Sequence, residues 1–243
     1  MKSRLQQINT YFNQSHRYLS QGHDIRFRAK LIREIAGHLA YAAILDLGCG
    51  DGTLSLQFQS KTNRITLVDI SEAMLNIAGS KIAPAFKKNV RLIRSPIETL
   101  VDDTRFDLVI ASGVLAHAVS VEAVIHTISR HMAPRGLAVI QLTDHDQWVS
   151  KLLWRYNALL DRITRNFTYK RNPITQQALL VTAKRHGLFP VDTHRYSLML
   201  PGMNSLLPDR LLYDVHEQTH RNRFLNRLAT DLMIAFSKNP PLA

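Results

Sequence analysis

The sequence predicts an α/β fold built around a largely parallel β-sheet. Short segments rich in β-branched and aliphatic residues alternate with helical patterns through the middle of the chain, and such alternation is typical of a parallel sheet covered by helices on both faces. A glycine-rich turn follows the first of these strands directly. The longest apolar runs, such as residues 108–115, are too short to span a bilayer.

Seven strands are predicted in all. The first five are expected at residues 43–47, 65–69, 90–94, 106–111 and 137–142, and the last two at 188–200 and 232–237. Helical patterns lie between them at 52–58, 71–82, 121–131, 175–186 and 209–228, with a shorter one near 97–100. Ser71 is expected to cap the helix that it opens.

We expect residues 1–243 to form a single domain with insertions, since this length is near the upper limit for one hydrophobic core. Residues 41–145 would form the ligand-binding core and residues 1–40 a helical N-terminal segment. Helical insertions at 146–174 and 201–229 do not belong to a minimal βα alternation. They are expected either to cap a substrate site or simply to pack on the core.

The net charge of +12 lies entirely outside the middle of the chain. Residues 1–45 carry seven basic and two acidic side chains, residues 46–150 carry ten and eleven, and residues 151–243 carry fourteen and six. Either these cations are solvated faces of surface helices, or they meet an anionic substrate or partner. A single cysteine excludes an internal disulfide and a multi-thiolate zinc site. No signal-peptide pattern opens the sequence, so a cytoplasmic location is expected.

The most specific motif is the turn after the first strand. Residues 44–52 read Ile-Leu-Asp-Leu-Gly-Cys-Gly-Asp-Gly, and Gly48 and Gly50 can adopt turn conformations that let a ligand approach the backbone. A second acid, Asp69, ends the next strand 17 residues beyond Gly52. The spacing is shorter than that of the dinucleotide fingerprint, and two carboxylates, Asp46 and Asp51, flank the loop. They would repel a diphosphate and suit a ligand that carries a sulfonium and an ammonium group.

With these residues the sequence resembles the class I S-adenosylmethionine-dependent methyltransferases. The resemblance covers roughly residues 40–145 at the level of motifs. It implies a Rossmann-like, mostly parallel sheet of seven strands in the order 3-2-1-4-5-7-6, with strand seven antiparallel. It also implies S-adenosylmethionine as the cofactor.

The resemblance assigns cofactor roles to individual residues. Asp69 would accept hydrogen bonds from both ribose hydroxyls and Ile70 would pack on the adenine, while residues at the end of the fourth strand would face the methionine part. In this family an N-terminal segment often folds over the cofactor, and Tyr11 and Tyr18 are the candidates for that contact. The full set of implied cofactor residues is Asp46, Gly48, Cys49, Gly50, Asp69, Ile70, Ser95, Pro96, Ile97, Ala111, Ser112, Tyr11 and Tyr18.

The residues that meet the methyl acceptor are less constrained. A general base helps when the acceptor is a hydroxyl, and His145 lies just past the fifth strand, at the ligand-binding edge of the sheet. His145 could equally form a solvated ion pair with its acidic neighbours, and His117, the second candidate, could simply pack against the sheet. Arg195, Tyr196 and Trp148 are candidates for substrate contact. The reaction needs no metal.

Several acceptor classes fit these observations. The first is a small-molecule metabolite, as in secondary metabolism, methylated on oxygen or nitrogen under the inserted helices and carrying an anionic group if the basic segments bind it. RNA is a less favoured acceptor, because the fourth strand lacks the Asn/Asp-Pro-Pro-aromatic string used for base amines. A third possible acceptor is a protein or a carrier-bound acyl group. The last alternative is a protein that binds the cofactor without transferring a methyl group. Salt dependence would separate RNA binding from a pocketed neutral metabolite.

Overall fold

The computed structural model describes residues 4–13, 22–37, 40–164, 171–200 and 203–240. Its strands are β1 Ala43–Leu47, β2 Arg64–Asp69, β3 Val90–Arg94, β4 Phe106–Ala111, β5 Met132–Thr143, β6 Phe189–Tyr196 and β7 Asp231–Ser237. They form a seven-stranded sheet in the order β3-β2-β1-β4-β5-β7-β6. β7 runs antiparallel to both β5 and β6, and the other pairs are parallel. The predicted fold class and strand order are confirmed.

Most of the described helices occur where helical segments are predicted, and the short helix at Met203–Leu206 is additional. The helices are α1 Arg4–Phe12, α2 Gly22–Ala36, α3 Thr53–Leu56, α4 Glu72–Ser80, α5 Val121–His131, α6 Trp148–Thr164, α7 Gln176–Arg185, α8 Met203–Leu206, α9 Asp209–Arg221 and α10 Arg223–Asn226. Short 3₁₀ turns lie at Pro84–Asn89 and Ile97–Thr99. Ser71 caps α4 as predicted, because its hydroxyl accepts a hydrogen bond from the Met74 amide at 3.3 Å.

Each face of the sheet is covered by its own hydrophobic layer. On one face, α5 and α7 pack against the strands through side chains such as Ile128 and Leu179. On the other face, α2, α3 and α4 pack through Phe27, Leu54 and Leu75. Successive strand residues such as Ile44 and Leu45 belong to opposite layers, as the alternation of side chains along a strand requires. The central strands are therefore buried on both sides.

Two predicted elements end earlier than expected. The helix predicted at 209–228 is not continuous, because the Asn222 side chain accepts hydrogen bonds from the amides of Phe224 and Leu225 and starts a separate turn, α10. The strand predicted at 188–200 stops at Tyr196, because Ser197 adopts a left-handed conformation with φ of 67°. Over the described part of the chain, no helix combines the length and the apolar character needed to cross a bilayer.

Candidate functional site

The loop after β1 is shaped for close approach of a ligand. Gly48 and Gly50 have φ of 70° and 52°, a region that favours glycine. The amides of Gly48 and Cys49 both donate to the Val68 carbonyl of β2, at 2.8 and 3.0 Å. A Cβ on Gly48 would lie 2.2 Å from Cγ1 of Val114. A larger residue at position 48 would therefore require the Val114 side chain or the loop to move.

Asp69 holds the loop and faces the cavity. Its Oδ2 accepts a hydrogen bond from the Gly50 amide at 2.9 Å, and its Oδ1 accepts one from the Ser71 amide at 2.8 Å. Burial raises the pKa of this carboxyl above its ordinary value, and the backbone hydrogen bonds oppose that rise. Each carboxylate oxygen retains a second lone pair, so Asp69 can also accept hydrogen bonds from a ligand in the cavity that it lines.

Asp46 and Asp51 occupy different surroundings. Asp46 lies beneath the loop, where its Oδ2 accepts from the Ser55 hydroxyl at 2.6 Å; its buried Oδ1 has no hydrogen-bond partner among the described residues. Burial raises the pKa of Asp46 to about 7, with the charges of Asp69 and Asp51 adding to the rise. The interpretation of Asp51 as a ligand-facing acid is wrong, because its carboxylate pairs with Lys81 and the Thr53 hydroxyl instead.

A cavity of about 800 Å³ runs from the loop to the insertion after β5. Near Asp69 its wall includes four of the predicted cofactor residues, Ile70, Ser95, Pro96 and Ile97. Gly48, Gly50 and Ser112 also line it, whereas Cys49 and Ala111 are buried in the two core layers and are absent from its lining. The Ser112 hydroxyl is buried without a partner in the described part of the chain. Asp46, also predicted to bind the cofactor, is buried beneath the loop and is absent from the lining. The glycine cradle, Asp69 and the unsatisfied Ser112 hydroxyl fit a ligand that carries ribose hydroxyls and further polar groups.

The far half of the cavity is basic and aromatic. His117, His145, Trp154 and Arg171 line it, and Arg28 lies beside Gly113, next to the end of β4. Arg28 is oriented by an ion pair with Asp24 on the same helix. The acids in the described lining are Asp69 and Glu98, and Glu98 accepts a hydrogen bond from the Val119 amide at 2.8 Å. The far half therefore presents positive charge to whatever enters it.

Both histidines predicted near the acceptor line this half, and both have lowered pKa values. Burial lowers the pKa of His117 to about 3, helped by the charges of Arg171, Arg4 and Arg28. Burial also lowers the pKa of His145, which Asp144 opposes and Arg171 reinforces. Both rings are accordingly neutral at neutral pH. The His145 ring meets Trp154 edge to face, with centroids 6.1 Å apart.

The N-terminal helix α1 covers the cavity. Leu5, Ile8, Tyr11 and Phe12 line it from above, and the His117 ring lies 6.2 Å from that of Tyr11 and 4.9 Å from that of Phe12. Tyr11 thus lines the cavity, and Tyr18 falls outside the described residues.

Polar contacts at both ends fix α1 to the core. Arg4 Nη2 donates to Asn172 Oδ1 at 2.6 Å, and the Ser71 hydroxyl donates to Asn13 Oδ1 at 2.7 Å. These contacts join the helix to the loop after β2 and to the insertion after β5.

The structure does not bring the three predicted substrate residues to this cavity. Tyr196 is fully buried in the core layer that α2, α3 and α4 cover, and its ring lies 5.2 Å from that of Phe27. Arg195 donates to Asp144 Oδ2 at 3.0 Å and to Gln176 Oε1 at 2.5 Å, so its charge is satisfied within the fold. Trp148 is absent from the cavity lining and points into solvent, with 62% of its surface exposed.

The polar and aromatic cavity residues that sequence reasoning missed include Arg28, Gln141, Trp154 and Arg171. Gln141 lies on β5 and its side chain accepts from the Gly113 amide at 2.8 Å. A polar residue within the apolar run of β5 was a signal that could have identified it, because buried polar groups are paired. Arg28 and Arg171 had no such signal among the many arginines of the basic segments.

Known proteins share this fold and this motif region. The methyltransferase domain family matches residues 40–196. The ubiquinone biosynthesis O-methyltransferase of Rickettsia akari is 30% identical over 103 residues, which cover 42% of this chain and 41% of that protein. Its counterpart in Rickettsia bellii is 27% identical over 115 residues, covering 45% and 47%. The chain thus aligns with less than half of the length of these relatives.

Solved structures match over nearly the whole chain. An S-adenosylmethionine-dependent methyltransferase of Thermotoga maritima superposes with a TM-score of 0.65 at 12% identity, covering 98% of this chain and 100% of that one. Magnesium protoporphyrin IX methyltransferase of Synechocystis, crystallised with bound S-adenosylhomocysteine, gives 0.63 at 14% identity, covering 96% and 99%. At such low identity these matches establish the fold. The chain belongs to the methyltransferase domain family, and it is a class I protein whose cofactor is S-adenosylmethionine.

Proposed function

We propose that this protein transfers a methyl group to an oxygen or nitrogen of a small-molecule metabolite. The observation that carries this proposal is the continuity of the cavity, which connects Asp69 to His145 and Trp154 beneath two helices. Its volume of about 800 Å³ lies within the range of small-molecule sites. The Rickettsia relatives are named O-methyltransferases, which favours oxygen as the acceptor atom.

The near half of the cavity is assigned to the cofactor. S-adenosylmethionine supplies a methyl group already activated by its sulfonium. Asp69 would bind the ribose hydroxyls, and Ile70 and Ile97 would pack against the adenine. Arg28, beside Gly113 at the end of β4, is the cation suited to the carboxylate at the other end of the ligand.

The far half is assigned to the acceptor, with Arg171 binding an anionic group on it. Arg171 lowers the pKa values of both His117 and His145, so its charge acts on the space between them. No ion-pair partner of Arg171 occurs in the described ranges of the chain. A carboxylate or phosphate on the acceptor would supply one, with Trp154 as an aromatic wall.

His145 is the proposed base for a hydroxyl acceptor. A base acts in its neutral form, and its lowered pKa keeps His145 neutral to lower pH than an ordinary histidine. His117, whose ring lies against those of Tyr11 and Phe12, is assigned to holding α1 over the cavity. We propose that α1 and α6 both cover the cavity and exclude water from it. We also propose that residues 1–243 form one domain.

Replacing Arg171 with Gln is expected to raise the pKa of His145. The cation disfavours the imidazolium, so its loss lets the ring bind a proton at higher pH. Burial, the larger cause, remains, and the pKa should stay below that of an exposed histidine. An NMR titration of the His145 ring in both proteins measures this, with Arg185→Gln, which removes a surface cation paired with Glu122, as the matched control. An unchanged His145 titration in Arg171→Gln would refute the proposal that Arg171 lies close to His145.

Removing residues 1–20 is expected to weaken S-adenosylmethionine binding without unfolding the protein. The deletion takes away the apolar cover from α1, and the loss of several such contacts should raise the dissociation constant on the order of tenfold. Calorimetric titration of the truncated and full-length chains measures the affinity, and circular dichroism checks the fold. An unchanged affinity would show that α1 is not a cofactor lid.

Methyl-labelled S-adenosylmethionine tests the proposed function directly. The protein is incubated with host extract separated into small molecules, RNA and protein, and each pool is assayed for label. Label in the small-molecule pool, lost with Asp69→Ala, is the expected result. Retention of the labelled product on an anion exchanger at neutral pH would support an anionic acceptor. Label in RNA or protein would overturn the proposal.

A further inference from the structure

The outer face of α6 carries an exposed apolar row. Trp148, Leu152 and Tyr156 follow one another at intervals of four residues, and this spacing aligns them along one side of a helix. Their exposed fractions are 62%, 60% and 43%. Val149 and Ser150, on the side that packs on the protein, are buried. Large apolar side chains are thus displayed to solvent in a line, rather than scattered singly.

Cations flank the apolar row. Lys151 and Arg155 are both exposed, and one helical turn separates them, so they run parallel to the row on its neighbouring side. Lys151 has a weak partner in Asp146 at 3.3 Å, where both side chains are more than half exposed. Arg155 has no ion-pair partner in the part of the chain that the structure describes. The surface therefore combines exposed apolar area with uncompensated positive charge.

A further exposed aromatic residue lies next to the start of α6. The Gln147 side chain donates to the Arg227 carbonyl at 2.9 Å, and the Arg227 amide donates to the Phe224 carbonyl at 3.2 Å. Phe224 has 71% of its surface exposed. Arg223 and Arg227 in the same turn are also exposed. The pattern of apolar and basic side chains on α6 thus extends to α10.

We propose that this face, made of the apolar row with Lys151, Arg155, Phe224, Arg223 and Arg227, binds the surface of an anionic lipid bilayer. A helix that lies in a membrane interface places Trp, Leu and Phe among the acyl chains and holds Lys and Arg at the anionic headgroups. The net charge of +12 adds long-range attraction to such a surface.

A second copy of this chain fits the face less well. A two-fold contact in which α6 packs antiparallel to its copy through the apolar row would bring Lys151 and Arg155 of one copy against the same cations of the other, whereas an anionic bilayer neutralises them. The inner side of α6 bears Leu153 and Trp154, which line the cavity, so a bound bilayer would leave the cavity wall intact. The proposal does not depend on which compound accepts the methyl group.

Vesicle flotation tests the proposal with the full chain. The protein is mixed with vesicles of phosphatidylcholine containing about a third phosphatidylglycerol, or of phosphatidylcholine alone. The anionic vesicles should carry the protein upward, and the neutral ones much less of it. Trp148→Ser combined with Leu152→Ser should reduce binding on the order of tenfold or more, since two anchoring side chains are lost. The matched control combines Val101→Ser with Val181→Ser, which removes two exposed apolar side chains elsewhere.

Tryptophan fluorescence gives a second readout, because the chain has two tryptophans. In a Trp154→Phe variant the emission comes from Trp148, and it should shift to shorter wavelength with anionic vesicles and remain unchanged with neutral ones. Equal flotation of the double variant and its control would overturn the proposal, as would no shift of the Trp148 emission. The proposal would also be overturned if the protein failed to float with anionic vesicles and instead used this face to self-associate. Failure to float together with binding of single-stranded RNA at this face would likewise favour RNA as the partner.

Discussion

Replacing Asp69 with Ala should weaken S-adenosylmethionine binding by about 100-fold or more, because two hydrogen bonds to a charged acceptor are lost at about 1.5–3 kcal/mol each. The same carboxylate also holds the amides of Gly50 and Ser71, so the loop loses part of its support as well. We expect the fold to survive, since the sheet and its two core layers are untouched. Calorimetric titration measures the affinity, and thermal unfolding measures the stability.

Glu72→Ala is the matched control for this prediction. Glu72 is three residues away, is exposed, and pairs with Arg94 at 2.7 Å outside the cavity. Its removal should leave S-adenosylmethionine affinity within a factor of about two, as is usual for exposed ion pairs. Near-native affinity in Asp69→Ala, with the control unchanged, would refute the role of Asp69 at the ribose.

Replacing Gly48 with Ala should be almost as damaging to cofactor binding. The added Cβ would lie 2.2 Å from Val114 Cγ1, and the left-handed backbone with φ of 70° adds strain. Overpacking and strain together cost on the order of 2–5 kcal/mol. A rotation of the Val114 side chain or a shift of the loop would relieve part of the clash, and either one changes the cavity wall that Gly48 and Val114 help to form. Titration should therefore show at least a 100-fold weaker S-adenosylmethionine complex.

Gly37→Ala separates the two causes. Gly37 has nearly the same backbone conformation as Gly48, with φ of 64°, but a Cβ added to Gly37 meets nothing within 4 Å. This variant should lose about 1 kcal/mol of stability from backbone strain alone and keep its cofactor affinity. If Gly48→Ala binds as tightly as Gly37→Ala, the close packing between the loop and Val114 has no part in cofactor binding.

The fold was predictable because local and tertiary signals agree along this chain. The apolar runs of β1 and β4 are buried on both faces, and the caps at Ser71 and Thr175 mark where helices begin. The loop and Asp69 were predictable too, because adjacent parallel strands bring their carboxyl ends to one edge of the sheet.

The acceptor half was less predictable, for physical reasons. Alternation on β6 shows that Arg195 and Tyr196 face opposite sides, but both faces of this sheet are covered by helices, so alternation cannot show which side holds a cavity. Asp51 was misassigned because Lys81, its partner, lies 30 residues away. Arg171 lies in an insertion whose path depends on tertiary contacts, among them the hydrogen bond from the Asn172 amide to the Ala116 carbonyl at 2.8 Å.

A crystal structure with S-adenosylhomocysteine bound tests the central claim, that one cavity holds cofactor and acceptor in separate halves. The ribose hydroxyls should lie against Asp69 and the amino-acid end near Ser112 and Arg28. The space between His145, Trp154 and Arg171 should then remain open. A ligand that fills this space, or that leaves Asp69 without a ribose contact, would contradict the division of the cavity and with it the proposed acceptor site.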